Sequence, residues 1–148
     1  MNNHSIRPLN QQDLARVCQI EQLAYSIPWS DSLHQSCLDS NYPSLVLEFE
    51  EQIEGYCIFN YLYDECHLMN IAVNPKLQGH GLAQELMKAM YLACKERGMV
   101  KTILEVRAGN QRAIDFYLQQ GFEQIGLRKR YYKNENGRED AIVMEKPL

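Results

Sequence analysis

The sequence predicts a single α/β domain in which a mixed, mostly antiparallel central sheet is flanked by helices. Segments with apolar residues at helical spacing alternate with segments rich in β-branched and aromatic residues. The chain has 148 residues, which is enough to bury one hydrophobic core and short for two ordinary domains. We therefore expect residues 1–148 to fold as one unit.

Two helices are predicted to come first, followed by three strands. Asn10 can cap the first helix, and Ser30 can cap a second helix that ends before Pro43. The hydrophobic period then changes, and residues 44–49, 55–63 and 66–73 are predicted strands. Because the turns between them are short, we expect these strands to form a meander.

The second half is predicted to alternate helices with strands. A helix is expected at 81–97, where Gly98 stops it, and a strand at 102–106. Asn110 can cap a further helix that ends at Gly121. A hairpin of strands at 122–133 and 139–145 is predicted to close around Asn136-Gly137.

Composition excludes several classes of protein. The net charge of −4 argues against a nucleic-acid partner, because phosphate-binding surfaces usually carry a basic excess. The most apolar stretch, 56–63, is far too short for a membrane helix, and the first residues lack a signal pattern, so we expect a cytoplasmic protein without membrane contact. The five cysteines form no C-x-x-C pair and no metal-ligand spacing, which predicts reduced thiols and no metal.

The motif Gln78-Gly79-His80-Gly81-Leu82-Ala83 lies between a predicted strand and the start of a long helix. Glycines at such a turn let backbone N–H groups face an anion, and the helix N-terminus adds partial positive charge. The motif therefore predicts a pyrophosphate site. The alternative is a tight strand-to-helix turn that only requires glycine for its backbone conformation.

This motif resembles the Q/R-x-x-G-x-G/A acyl-CoA loop of the GNAT superfamily of N-acetyltransferases, through Gln78, Gly81 and Ala83. The order of predicted elements also resembles the GNAT fold. Further segments resemble the RimI-type N-terminal acetyltransferases within that superfamily, and together they span most of residues 20–144: Pro28-Trp29-Ser30, Leu104-Glu105-Val106-Arg107, Asn110, Ala113-Ile114, Tyr117, Gly121-Phe122, Arg130-Tyr131-Tyr132 and Gly137-Arg138-Glu139-Asp140-Ala141.

The resemblance implies acetyl-CoA as cosubstrate. It implies that the backbone of Ile71 to Val73 pairs with the pantetheine arm, that the Val73 N–H polarises the thioester carbonyl, and that Asn110 holds the arm from the opposite side. The residues assigned to acetyl-CoA are Ile71, Ala72, Val73, Gln78, Gly79, His80, Gly81, Leu82, Ala83, Gln84 and Asn110.

The resemblance also implies that Glu105 is the general base and Tyr117 the acid that protonates the leaving thiolate. An amine must lose a proton to attack, so a base is required. Glu105 could instead be a structural glutamate paired with Arg107 or Lys101. Tyr117 lies two helical turns after Asn110, and it could instead be a core aromatic residue beside Phe116.

For the substrate, the resemblance implies a ribosomal-protein N-terminus that contacts Trp29, Tyr131 and Tyr132. Trp29 could equally be a core anchor, and the basic run around Tyr131 could be a solvated strand. We also expect rim charges that favour basic residues in the substrate, namely Glu21, Asp31, Glu139 and Asp140. Two alternative functions are acetylation of a small amine or a lysine side chain, and a catalytically silent acetyl-CoA-binding module.

Overall fold

A computed structural model describes residues 3–148 and confirms the predicted fold class, a mostly antiparallel sheet of seven strands flanked by helices. Hydrogen-bonded neighbours follow the order β1-β2-β3-β4-β5-β7-β6. The elements are β1 (His4–Pro8), α1 (Leu14–Ala24), α2 (Asp31–Asp39), β2 (Ser44–Phe49), β3 (Gln52–Leu62), β4 (Glu65–Val73), α3 (Leu82–Glu96), β5 (Lys101–Arg107), α4 (Gln111–Gln119), β6 (Glu123–Asn134) and β7 (Gly137–Pro147).

Strand β1 differs from the sequence-based prediction, which placed a helix first. Only Ile6 in this strand is aliphatic, so the segment lacks the alternation that marks a half-buried strand. It forms because β1 lies at the edge of the sheet and pairs antiparallel with β2 alone, with Ile6 opposite Leu47. Pairing with a distant segment, not a local pattern, makes it a strand.

Contacts divide the chain into two compact units, residues 3–60 with 69–93 and residues 61–68 with 94–148. That the whole chain is one domain therefore stays a prediction. In the first unit, β2 pairs antiparallel with β3, which places Val46 opposite Tyr56. The apolar face of α1 packs on these strands, and the buried cluster so formed is Leu9, Leu14, Val17, Ile20, Cys37, Val46, Tyr56, Ile58 and Ala72.

Both predicted caps of this unit are confirmed. The side chain of Asn10 accepts a hydrogen bond from Gln12 N at 3.0 Å, and Asp13 Oδ2 accepts one from Asn10 N at 2.8 Å. They cap a single 3-10 turn, Gln11–Asp13, that leads directly into α1. Ser30 Oγ accepts from Leu33 N at 3.1 Å and so caps α2.

In the second unit the first half of β4 pairs with β5 in parallel, with Cys66 opposite Thr102. Strand β7 lies between β5 and β6 and is antiparallel to both, with Leu104 opposite Met144 on the β5 side. The predicted β6–β7 hairpin forms, but it turns at residues 135–136, one position before the predicted Asn136-Gly137. Among residues 3–148, no helix has the length and apolar character needed to cross a membrane.

Candidate active site

The turn that follows β4 is fixed by a buried carboxylate. Asn74 donates from Nδ2 to Glu54 Oε2 at 3.0 Å and from its backbone N to Glu54 O at 2.8 Å. Glu54 in turn accepts from Arg16 Nη2 at 2.6 Å. The buried Asn74 and Glu54 side chains thus hold the chain in place where it leaves the sheet.

The glycine loop itself is exposed and lies at the start of α3. Gly79 and Gly81 have φ values of +90° and +75°, a backbone conformation that favours glycine. A Cβ placed on Gly81 would meet no atom of residues 3–148 within 4 Å, so the outer side of the loop is open. Helix α3 begins at Leu82, and its first N–H groups have no partner within the helix. Open backbone at a helix N-terminus fits a pyrophosphate group.

The end of strand β4, which is predicted to bind the pantetheine arm, already has a hydrogen-bond partner from α1. Ile71, Ala72 and Val73 are buried, and the hydroxyl of Tyr25 donates a hydrogen bond to the Ile71 carbonyl oxygen. Tyr25 is the residue that ends α1, where its N–H donates to Glu21 O at 3.1 Å. The end of α1 is therefore tied to the strand predicted to hold the pantetheine.

Glu21 is the hub of a buried polar network. Its carboxylate accepts from His34 Nε2 at 3.0 Å, from Asn70 Nδ2 at 2.5 Å and from the Tyr56 hydroxyl, all at Oε1. Its other oxygen, Oε2, accepts from the backbone N–H of Trp29 at 3.0 Å. Burial opposes ionisation, but these four hydrogen bonds outweigh it and lower the pKa of Glu21.

This network corrects the sequence-based expectation that Glu21 is a rim charge. Only 2% of the residue is exposed, so its charge is directed at protein donors and not at a passing substrate. Glu139 is engaged as well, with Oε1 3.0 Å from Arg107 Nη1. The expected preference for basic residues in the substrate thereby loses two of the four charges on which it depended.

The position of Glu21 in α1 carried a signal for this role. Leu14, Val17 and Glu21 follow helical spacing along one face, and the two apolar residues are buried. A carboxylate on the buried face of a helix must find hydrogen-bond donors. That pattern could have identified Glu21 as an internal anchor.

Trp29 is half-buried and packs on the core of the first unit. Its ring lies 5.0 Å from that of His34, and the side chain contacts the buried cluster. The core-anchor interpretation of Trp29 is therefore correct for the packed part of the ring, and contact with a substrate stays a prediction.

In the second unit, Glu105 lies half-buried on β5. Its Oε2 atom has no hydrogen-bond partner among residues 3–148 and lies 3.4 Å from Arg128 Nε. The ion pairs considered from sequence do not form, since Arg107 pairs with Glu139 and Lys101 pairs with Glu65 and Glu145. A glutamate side chain is one of the groups that can act as a general base.

A bulge in β6 presents two tyrosines on the same unit. Arg128 pairs with Ala141 and Tyr132 with Glu139, so three residues of β6 oppose one of β7. Arg130 takes a φ of +54° in the bulge, and its N–H donates to Asp140 Oδ1 at 2.9 Å. The bulge leaves Tyr131 46% exposed.

The negative charge of Glu105 affects the pKa values of both tyrosines. Burial, the negative charge of Glu105 and a hydrogen bond to that carboxylate raise the pKa of Tyr131, and burial and the charge of Glu105 raise the pKa of Tyr132 to about 12. The two rings lie 5.0 Å apart, and the Arg107 guanidinium lies 4.4 Å from the Tyr132 ring centroid. The structure thus brings Glu105, Tyr131 and Tyr132 together, and their roles stay predictions.

Helix α4 carries the last two predicted residues. Asn110 Oδ1 accepts from Ala113 N at 3.2 Å, which confirms Asn110 as the helix cap and occupies that oxygen. Tyr117 is buried, with its ring 5.5 Å from Phe116 and 5.7 Å from Phe122. The packing expected of a core aromatic residue is present, and an acid role for its hydroxyl stays a prediction.

No group of His, Cys, Asp or Glu side chains able to hold a metal ion occurs among residues 3–148. Four of the five cysteines are buried, Cys18 is half-buried, and all are free thiols. Burial, followed by the neighbouring Asp31, raises the pKa of Cys18 to about 11, which makes this thiol a poor nucleophile at neutral pH.

Comparisons with known proteins find a matching family and relatives that cover nearly the whole chain. Residues 12–122 match the family model described as the acetyltransferase (GNAT) family. The [ribosomal protein bS18]-alanine N-acetyltransferase of Salmonella typhimurium is 37% identical over 148 residues, which are 100% of this chain and 99% of the relative. The protein of the same name from Escherichia coli K12 is 35% identical, with 98% of each chain covered.

A solved structure extends the similarity to three dimensions. The crystal structure of the ribosomal-protein-S18-alanine N-acetyltransferase from Escherichia coli superimposes with a TM-score of 0.90 at 35% identity. The superposition covers 98% of this chain and 94% of that one.

Proposed function

Because the chain belongs to the GNAT family of acetyltransferases, we propose that it acetylates the α-amine of an N-terminal alanine, with ribosomal protein bS18 as the substrate. The observation that carries this proposal is similarity over the full chain, at 37% identity, to an enzyme named for that reaction. The cytoplasm is the proposed compartment, because free thiols are maintained in reducing compartments.

Acetyl-CoA supplies the acetyl group as an activated thioester. The exposed glycine loop and the start of α3, residues 78–84, would hold its pyrophosphate through backbone N–H groups. The backbone of residues 71–73 and the side chain of Asn110 are the proposed partners of the pantetheine arm. Because Asn110 Oδ1 already caps α4, the amide Nδ2 is the atom of this side chain left to donate.

Glu105 is the proposed general base. This proposal is supported by the environment of its Oε2 atom. The residue is half-buried, and Oε2 accepts no hydrogen bond from residues 3–148. Arg128 Nε lies 3.4 Å from this oxygen. Glu105 would take the proton that the amine loses.

Tyr117 is the proposed acid. Its ring is fixed between Phe116 and Phe122, so the hydroxyl has a defined position from which to donate a proton to the leaving thiolate. Transfer is proposed to be direct, with no acyl-enzyme, because the cysteine thiols are buried or, at Cys18, poorly ionised.

Proton chemistry favours an α-amine as the acceptor. With ordinary pKa values of about 8 for an α-amine and 10.4 for lysine, roughly a tenth of the α-amine is neutral at pH 7. The neutral fraction of lysine is well under a thousandth. One carboxylate base of modest strength is therefore better matched to a protein N-terminus. Trp29, Tyr131 and Tyr132 are the proposed contacts of the substrate peptide.

The test is mass spectrometry of three peptides incubated with acetyl-CoA. The first begins with the free alanine of bS18, the second is the same peptide with a blocked N-terminus, and the third begins with a bulky residue and carries internal lysines. Acetylation of the first peptide alone, at its α-amine, is expected. Comparable acetylation of lysines in the second would replace this proposal with a lysine acetyltransferase, and no turnover of any amine would leave a module that only binds acetyl-CoA.

A further inference from the structure

Two contacts hold the segment Tyr25 to Ser30, which we call the 25–30 segment, against the first unit. At its start the Tyr25 hydroxyl donates to the carbonyl of Ile71 on β4. Near its end the backbone N–H of Trp29 donates to Glu21 Oε2 at 3.0 Å. Between these points Ser26 and Ile27 are exposed, so the segment depends on its two ends for its position.

The two oxygens of Glu21 have separate partners. Oε1 receives three donors from α2, β3 and β4, namely His34, Tyr56 and Asn70. Among residues 3–148, Oε2 receives only the Trp29 N–H. Oε1 therefore fixes the carboxylate to the core, and Oε2 fixes the 25–30 segment to the carboxylate.

His34 shows that the network is directed at Glu21. Its Nε2 atom faces the carboxylate, whereas Nδ1 is buried without a hydrogen-bond partner among residues 3–148. A proton on Nε2 has Glu21 as its acceptor, whereas a proton on Nδ1 would have none among the same residues. The Trp29 ring packs on His34, which adds an apolar contact to the hydrogen bond at the same residue.

We infer that Glu21 is a positioning residue for substrate recognition: it fixes the 25–30 segment, and with it Trp29, in the place where the N-terminal residue of the substrate is read. This inference rests on the proposed function, in which Trp29 contacts the peptide. Glu21 touches neither substrate nor acetyl-CoA in this role. Its effect should therefore fall on the Michaelis constant for the peptide and not on the chemical step.

The substitution Glu21→Gln separates the contact of the carboxylate with the core from its contact with the Trp29 N–H. Glutamine can keep its oxygen toward His34, Tyr56 and Asn70, but its NH2 group then faces the Trp29 N–H, and two donors cannot bond each other. A hydrogen bond to a charged group contributes about 1.5–3 kcal/mol, so its loss corresponds to a tenfold change or more. We expect the peptide KM to rise about tenfold or more, with kcat and the acetyl-CoA KM changed less than about twofold.

Asp13→Asn is the matched control. Asp13 is likewise a buried carboxylate, 5% exposed, that accepts from Arg7 and from a backbone N–H, but it has no contact with the 25–30 segment. It should lower the thermal stability and leave the peptide KM unchanged. An equal rise of the peptide KM in both variants would reduce Glu21 to a general stability role and overturn the inference.

Amide hydrogen exchange provides a readout that does not depend on activity. In the wild-type protein the Trp29 amide should be protected, and in Glu21→Gln it should exchange at least about tenfold faster. Tyr25→Phe removes the other contact of the segment, so it should raise the peptide KM and leave the Trp29 amide protected. If Glu21→Gln does not fold, Tyr25→Phe is the variant used to test the inference. If the Trp29 amide of the wild-type protein exchanged as fast as the Ser26 amide, the Glu21 contact would be refuted. If the Trp29 amide were protected but the protein acetylated no peptide, only the proposed function would be refuted.

Discussion

The Oε2 atom of Glu105 on β5 lies 3.4 Å from Nε of Arg128 on β6. Strand β7 separates the two strands, so the arginine reaches across it. Arg128 stands opposite Ala141, whose methyl side chain leaves room for this crossing. The Arg128 side chain is 56% exposed, and exposed ion pairs contribute little to stability.

Replacing Glu105 with Gln should remove the proposed base with little change in shape. We expect kcat to fall by about 10²–10⁴, the usual contribution of general base catalysis, with the acetyl-CoA KM little changed. Steady-state kinetics with the bS18 peptide measure both quantities. Glu145→Gln is the control, since Glu145 is also half-buried and ion-paired, with Lys101. Wild-type turnover in Glu105→Gln would exclude Glu105 as the base.

Tyr117→Phe should retain the ring packing against Phe116 and Phe122 and lose only the hydroxyl. If that hydroxyl protonates the thiolate, the rate should fall by about 10²–10⁴ while acetyl-CoA binding persists. Calorimetric binding and single-turnover rates distinguish the two effects. A variant that loses binding but reacts normally once loaded would assign Tyr117 a structural role instead.

Gly81→Val should weaken the binding of both acetyl-CoA and free CoA. A branched side chain would occupy the open outer side of the loop, and the residue has a φ of +75°. Gly98→Val imposes the same kind of strain, since Gly98 has a φ of +78° and equally open surroundings just after α3. Both variants should lose stability, but only Gly81→Val should lose CoA affinity in calorimetry. Equal CoA affinity in the two folded variants would contradict the pyrophosphate assignment.

Acid stability should report the buried Glu21 carboxylate. Because its pKa is lower in the folded than in the unfolded protein, it stabilises the fold above the unfolded value of about 4.3 and loses that contribution as the pH falls further. Glu21→Gln has no such group. From pH 6 to pH 3 the melting temperature of the wild type should therefore fall more steeply than that of the variant. Parallel curves would show that Glu21 does not titrate with folding.

Short-range patterns were enough for most of the fold and for the glycine loop. A cap such as Asn10, Ser30 or Asn110 acts on residues only two or three positions away, and all three form as predicted. The buried face of α3 likewise follows from helical spacing alone, since Leu82 and Met90 are both buried. Features whose cause lies within a few residues can be read from the chain directly.

Other features have causes that lie far apart along the chain. Strand β1 forms only because β2, some forty residues later, offers a partner, and Tyr131 is exposed because β6 bulges against β7. Glu21 was expected to be a surface charge, although its spacing from Leu14 and Val17 places it on the buried face of α1. Its true environment brings together Trp29, His34, Tyr56 and Asn70, from a loop, a helix and two strands. Helical spacing can place Glu21 on the buried face of α1, but only the folded chain shows which donors make its buried charge stable.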